Sequence, residues 1–503
     1  MTPTRLGGRW TPVARRVAPE VALVLSERHY ETLRHQLLQE DGLERAGFAL
    51  LGRSRSVGSR EYLVHRLLLP RDRDCRRQTP VSVEPDPGYV LGTLEALQES
   101  GAGAYLYAHS HPFSTEATFS GTDDAHLAGE ITSLDEYLGL RDDDRDVEFV
   151  RLVWGRREEG FAAEVYDRQG RLVARMTRLR VVGTRGVREV ACARMPRGPA
   201  APAPLPAARL DRNIRWLGES GQRRLREVRL AVCGAGGIGS AFVAQGRGLG
   251  IRRWSLVDQD RVEPSNLNRL FGAGLRDVGR LKVKVLAREI RALDSAAEVE
   301  TIPHPVQSAE ARRALAAADV IVCGLDNAEA RLEAQVLAAR YLKPLLDMGS
   351  GIVLDPATGR VAQMGAQAVL YSPGGACLVC QGVVNPARVL SAEHRALRRS
   401  LGYVDGAEAM EAPPSVVTLN ALVAALGLEM LVRYLTGFAA GPTYVRYDSL
   451  KATLEELAFA RREDCPICGD GGVEGLGDDE AARLKPPTRG AGQALGNETQ
   501  GVR

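Results

Sequence analysis

Lysine is almost missing from this chain: its 66 basic residues include five lysines, at 282, 284, 343, 451 and 485. A GC-rich codon bias is the simplest cause. A lysine retained against such a bias stands out, and Lys282 is singled out on that ground, its alternative being a solvated helix charge in GRLKVKVLAREI. A dense basic run is also missing and the net charge is only +3, so nucleic-acid binding is not implied. Only one long apolar stretch exists, Val416 to Leu435, and it carries Asn420, Glu429 and Arg433 behind Pro413-Pro414. Those residues exclude a membrane span and favour a buried helix, read as lying at a dimer interface. Residues 1–19 hold arginines but no apolar run, unlike a signal peptide. Cysteines number eight, and those at 75, 192, 233 and 323 are scattered through apolar runs, as reduced, buried thiols of a cytoplasmic chain are. No internal repeat or coiled-coil pattern is present.

What is there divides the chain. A length of 503 residues exceeds one core. Strand-like runs near 21–25, 47–51, 61–69, 104–109 and 147–154, with helices near 27–39, 89–100 and 123–138, predict an α+β domain over 20–185. Residues 193–208 form a Pro/Ala linker expected to space the domains instead of fusing their cores. From 209 to 470, strands at 228–233, 255–258, 299–302 and 320–324 alternate with helices, which predicts an α/β domain with a doubly wound sheet. The Gly-, Asp- and Arg-rich residues 471–503 are expected to be disordered.

The apolar run Val228–Cys233 leads into Gly234, Gly236 and Gly239, a tight turn that offers backbone N–H groups and a helix N-terminus to an anion. Alone, this glycine pattern with Asp258 after the next strand is the ordinary dinucleotide fingerprint, and NAD or FAD stays as open as ATP. The following Asn266, Asn268 and Arg269, with Lys282 one segment on, favour ATP, since triphosphate chemistry needs cations there and a nicotinamide does not.

These residues resemble the ThiF/MoeB superfamily, the adenylating enzymes that activate ubiquitin-like proteins and sulfur carriers, from about Arg209 to Cys468. The resemblance implies a Rossmann-like adenylation domain that binds ATP and Mg2+ through Gly237, Asp258, the run Ser265-Asn266-Leu267-Asn268-Arg269, Lys282, Asp326 and Asn327. In that pattern Asp326 is the magnesium-linked aspartate, Asp258 the ribose ligand, and Asp260 an addition to the metal site. Arg209-Leu-Asp-Arg-Asn-Ile214 is similar to the family's RYxRQI segment, which makes Arg212 a cation lent to a partner subunit and implies a dimer. Leu210, Asn213 and Leu270 depart from the family's Tyr, Gln and Gln.

Two Cys-x-x-Cys knuckles, Cys377/Cys380 and Cys465/Cys468, have the spacing of a four-cysteine structural Zn2+ site, which the resemblance also implies. No cysteine occurs from 381 to 464, where thioester-forming relatives place one. The adenylate is therefore expected to pass directly to an external nucleophile, a conjugating partner or a sulfur donor.

In the first domain, His109 and His111 alternate onto one side of an extended strand, and Asp123 follows at the start of a helix: three N/O ligands with an open fourth position, the layout of a hydrolytic zinc. Glu44 is the matching proton acceptor. The HSHP and SxxD motifs with an upstream ExxG resemble the JAMM (JAB/MPN) metalloproteases, of cytidine-deaminase-like fold. That resemblance implies His109, His111 and Asp123 as ligands of a catalytic Zn2+, Glu44 as general acid/base and Ser120 as oxyanion support. Eight residues separate His111 from Ser120, where seven is usual.

Together the halves predict ATP-dependent adenylation of the Gly-Gly tail of a ubiquitin-like protein, joined to zinc-dependent isopeptidase or processing activity on the same protein. Sulfur-carrier activation with JAMM-mediated carrier release is the alternative, a non-catalytic adaptor for such tails a third, and an NAD oxidoreductase a fourth.

Overall fold

The computed structural model describes residues 20–56, 59–115, 117–156, 160–192, 207–386 and 414–479. The Pro/Ala segment 193–206 and residues 1–19 and 480–503 lie outside these.

The first domain contains β1 (Glu20–Ser26), α1 (Glu27–Leu37), β2 (Ala46–Ser56), β3 (Ser59–Leu68), β4 (Cys75–Thr79), β5 (Ser82–Pro85), α2 (Pro87–Ser100), β6 (Ala104–His111), α3 (Gly121–Leu140), β7 (Glu148–Gly155), β8 (Phe161–Tyr166), β9 (Leu172–Arg175), β10 (Arg178–Gly183) and β11 (Gly186–Ala191). Nine strands form one mixed sheet in the order β11-β10-β1-β3-β2-β6-β7-β8-β9. Alternation along the strands splits its two faces. Leu23, Leu25, Ala49 and Leu51 face a core shared with Tyr30, Leu33 and Leu37 of α1. Phe48, Leu50 and Tyr105 face Leu94, Leu97, Ile131 and Leu134 of α2 and α3.

The second domain contains α4 (Ala207–Glu227), β12 (Arg229–Cys233), α5 (Gly237–Gly248), β13 (Arg253–Val257), α6 (Lys282–Leu293), β14 (Glu298–Ile302), α7 (Ala309–Ala317), β15 (Val320–Cys323), α8 (Ala328–Arg340), β16 (Leu345–Leu354), β17 (Val361–Tyr371), α9 (Val417–Thr436), β18 (Tyr444–Asp448) and β19 (Thr453–Glu456). Its sheet runs β14-β13-β12-β15-β16-β17-β18-β19. The first five strands are parallel and the last three antiparallel. The order reverses at β12, which places a crevice at the carboxyl ends of β12, β13 and β15.

Two expectations are corrected. The two cores are not held apart: Ala22, Val24, Leu63 and Val182 of the first sheet share one buried cluster with Ala311, Leu315, Ala334 and Leu337 of α7 and α8. The helices α2 and α3 cover only part of their face of the sheet, and the second domain covers the rest. An ionic contact crosses the same seam, Lys343 Nζ lying 3.3 Å from Glu61 Oε2, while Arg180 of the first domain holds Glu61 Oε1 at 2.9 Å.

Second, residues 471–479 are ordered. Val473, Glu474 and Leu476 are buried. This strap is bonded on both sides, Gly475 N and Gly477 N donating to Ala339 O and Arg340 O while Asp478 N donates to Arg53 O. Asp479 accepts from the Arg53 backbone N–H at 2.8 Å and from its guanidinium at 2.8 and 3.0 Å.

The helix α9 packs within its own chain against α5, β16, β17 and α4.

Two candidate active sites on one chain

Antiparallel pairing of β2 with β6 sets Ala46 opposite His109 and, one step on, Arg45 O accepts from Ser110 N at 3.0 Å. Continuing that register puts Glu44 opposite His111, and the two side chains approach to 3.9 Å. Strand alternation turns both imidazoles the same way, with Nε2 atoms 3.2 Å apart. Asp123 enters from the third position of α3, fixed by a capping box: Ser120 Oγ accepts from Asp123 N at 3.2 Å, and Asp123 Oδ2 accepts from Ser120 N at 2.5 Å. Its oxygens then lie 3.1 Å from His109 Nε2 and 3.4 Å from His111 Nε2.

These three ligand atoms all fall within 4.8 Å of one another, and an N2O donor set so converged fits a zinc ion. Burial alone pushes the Asp123 carboxyl up, but hydrogen bonds from both imidazoles hold it well below the usual range. The Glu44 carboxyl is pushed up to about 7 by burial, with the His111 charge opposing. A carboxylic acid poised near neutrality suits proton transfer. Ser120 is exposed and its oxygen is engaged as the helix cap, which leaves its hydroxyl proton to donate.

The second site is a cavity of about 960 Å³ at the carboxyl ends of the parallel strands, lined by Gly234, Gly236, Gly237, Asp258, Asp260, Asn266, Arg269, Lys282, Asp326 and Asn327. Gly234 adopts φ +92°, which turns the chain from β12 into α5. Asp258 Oδ2 accepts from Ala235 N at 2.6 Å and Oδ1 from Asp260 N at 2.8 Å, so this carboxylate braces the glycine turn from below. Burial raises its pKa. Lys282 Nζ sits 2.8 Å from Asp260 Oδ2. Arg269 donates to Ser265 O at 2.8 Å and Asn268 Oδ1 at 3.1 Å, and Asn327 caps α8 by accepting from Ala330 N at 2.8 Å.

Four predicted site residues are not on this chain's cavity wall. Gly239 is buried, where a Cβ would come 1.8 Å from Gly234 O, so it serves helix–strand packing. Ser265 and Asn268 hold the loop and Arg269. Arg212 is exposed on α4, away from this chain's cavity. Lining residues that sequence reasoning missed include His304, Gln307, Arg331, Ser350 and Asn420. A lone asparagine inside an apolar helix was the available signal for Asn420.

The four knuckle cysteines also converge. Cys377 and Cys465 sulfurs lie 3.6 Å apart, as do those of Cys380 and Cys468. A tetrahedron with metal–sulfur bonds of about 2.3 Å has edges of about 3.8 Å, so the cluster fits a structural zinc.

Comparison with known proteins gives the family. The model of the ThiF family matches residues 210–467, and that of prokaryotic homologs of the JAB domain matches residues 26–158. The chain is 29% identical over 281 residues to the SAMP-activating enzyme E1 of Haloferax volcanii, an alignment covering 54% of this chain and 94% of that enzyme. It is 30% identical over 256 residues to the sulfur carrier protein adenylyltransferase of Thermus thermophilus, covering 50% of this chain and 87% of that protein. With its glycine turn, acidic strand ends and cysteine knuckles in one α/β domain behind a JAB domain, the chain belongs to the ThiF family.

Proposed function

We propose that the second domain adenylates the C-terminal glycine of a ubiquitin-like or sulfur-carrier protein, and that the first domain hydrolyses the amide made by, or extending, that same tail. The observation that carries the first half is the single cavity into which Gly237, Arg269, Lys282 and Asp326 all project. The glycine turn and the α5 N-terminus take the phosphates, Lys282 and Arg269 neutralise them, and Asp326 with Asp260 holds Mg2+. Lys282 exchanges its Asp260 partner for phosphate when nucleotide binds. The two relatives, named for activating SAMP and a sulfur carrier, support the substrate class.

In the first domain, His109, His111 and Asp123 hold a zinc that supplies a Lewis acid to the amide and its attacking water. Glu44 Oε1 takes the proton from the nucleophile and returns it to the leaving amine, and the Ser120 hydroxyl donates to the oxygen that gains charge. The segment 381–464 has no cysteine to store the acyl group, so the adenylate passes to an external thiol or sulfur donor. The active form is a dimer in which Arg212 reaches the partner's nucleotide. Sulfur-carrier activation shares every residue role, and the Thermus thermophilus relative favours keeping it as the second reading.

The test is ATP–pyrophosphate exchange stimulated by a small β-grasp protein ending in Gly-Gly. Asp326→Ala is expected to lose exchange by about 100-fold or more while zinc-dependent cleavage of an extended tail persists. Glu44→Gln is expected to do the reverse, losing cleavage by about 100- to 10,000-fold. Loss of exchange in both variants, or none with the wild type, overturns the assignment.

A further inference from the structure

We propose that Asn420 is the acyl-end ligand of the adenylation site, donating from Nδ2 to the substrate carboxylate as it joins the α-phosphate, with Ser350 orienting the amide. This rests on the adenylation reading above. Asn420 lies in the first turn of α9, is 1% exposed, and is the one polar side chain among the helix's buried Leu419, Val423, Ala424, Leu428 and Leu431 save the distal Tyr434. Burying an amide there is unfavourable unless it is bonded.

Two bonds set its direction. Ser350 Oγ donates to Asn420 Oδ1 at 2.8 Å, and Asn420 Nδ2 donates to Ser415 Oγ at 3.2 Å. A primary amide has a second N–H, which no protein acceptor takes among the described residues. The amide nitrogen lies against Gly237, the first residue of α5, where an added Cβ would come 2.3 Å from Nδ2 and 3.4 Å from Arg269 Cδ. Asn420 and Arg269 therefore flank the same point, the helix N-terminus that receives phosphate. Both also line the nucleotide cavity, together with Ser350 of β16.

The chemistry explains a neutral donor at this point. One carboxylate oxygen attacks the α-phosphorus, forming the C–O–P bond of the mixed anhydride. The bond from the α-phosphorus to the bridging oxygen breaks, and its electron pair leaves with pyrophosphate. No proton moves. A cation on the carboxylate would stabilise it before attack and blunt it as a nucleophile, whereas an amide N–H aligns it at little cost. The same N–H then bonds the carbonyl oxygen of the adenylate.

The experiment measures binding of Mg-ATP and of a sulfamoyl-adenosine mimic of glycylglycyl-adenylate to the full chain by calorimetry. Asn420→Ala is expected to weaken the mimic by about 10- to 100-fold, the loss of one buried hydrogen bond, while changing Mg-ATP binding less than about twofold. Ser350→Ala is expected to give a smaller loss that Ser350→Thr restores. Melting temperature and zinc content report folding; should Asn420→Ala melt early, Asn420→Ser and the Ser350 pair carry the comparison. Equal losses for both ligands, or no loss, overturn the proposal. A wild-type chain that binds Mg-ATP but not the mimic overturns the adenylation reading itself.

Discussion

Burial pushes the His29 imidazole from 6.5 down to about 4, and the charges of Arg28, His65 and Arg461 add to the effect while Asp470 opposes it. Its Nδ1 is buried without a partner. The unfolded chain takes up a proton below pH 6.5 and the folded chain does not until about pH 4, so stability falls as pH drops through that window. Between pH 7 and pH 5 the His29 contribution is about 2 kcal/mol, and denaturant titration at the two values should find that difference shrink in His29→Gln. At the glycine turn, Gly239→Ala sets a methyl 1.8 Å from the backbone oxygen of Gly234, which cannot move aside as a side chain could. A cost of about 3 kcal/mol or more is expected, seen as an early thermal transition and lost Mg-ATP binding. The metal-site residues were legible because their chemistry sits at fixed spacing: His109 and His111 by strand alternation, Ser120 and Asp123 as an SxxD motif. Asn420 was read only as a flaw in a membrane span, because which helix would meet the glycine turn is a tertiary fact.

Elements fared according to how they are held. Strands and helices with apolar period were legible from Leu23 to Trp154 and from Val228 to Val322, whereas β8 to β11 between them were not read. The strap 471–479 was not, because it carries few apolar residues and docks through main-chain bonds at glycines: Gly52 has no room for a Cβ beside Gly475 O, nor Gly477 beside Arg53 O. Its strongest tie is Arg53 with Asp479, both side chains mostly buried. Asp479→Ala leaves that guanidinium without its main partner. A loss of about 3 kcal/mol is expected in equilibrium unfolding, with the first domain opening to protease before the second.

At the scale of the whole molecule, the Cys465/Cys468 knuckle runs directly into the strap: Gly469 N donates to Cys465 O, and Val473 N and Glu474 N both donate to Ile467 O. Glu474 then accepts from Tyr371 Oη at 2.8 Å, and its carbonyl meets His65 Nδ1 of the first domain at 2.7 Å. Cys465→Ser is therefore expected to lower the zinc content by one equivalent and to raise protease sensitivity at the seam, measured together on the same preparation. Composition pointed to two domains and marked the Pro/Ala segment as their join, but the docking of one on the other is a matter of shape. Leu63 reads as an ordinary strand residue of the first domain and Val182 falls in no predicted strand, and nothing in their neighbourhood shows that the face they form is finished by α7 and α8.

That shared face governs how the protein can be taken apart. Cut at the Pro/Ala segment and produced alone, the amino-terminal half would present Ala22, Val24, Leu63 and Val182 to water beside a Glu61 stripped of Lys343. An isolated fragment that clumps or fails to cleave would report that stripped apolar face, not an idle zinc site.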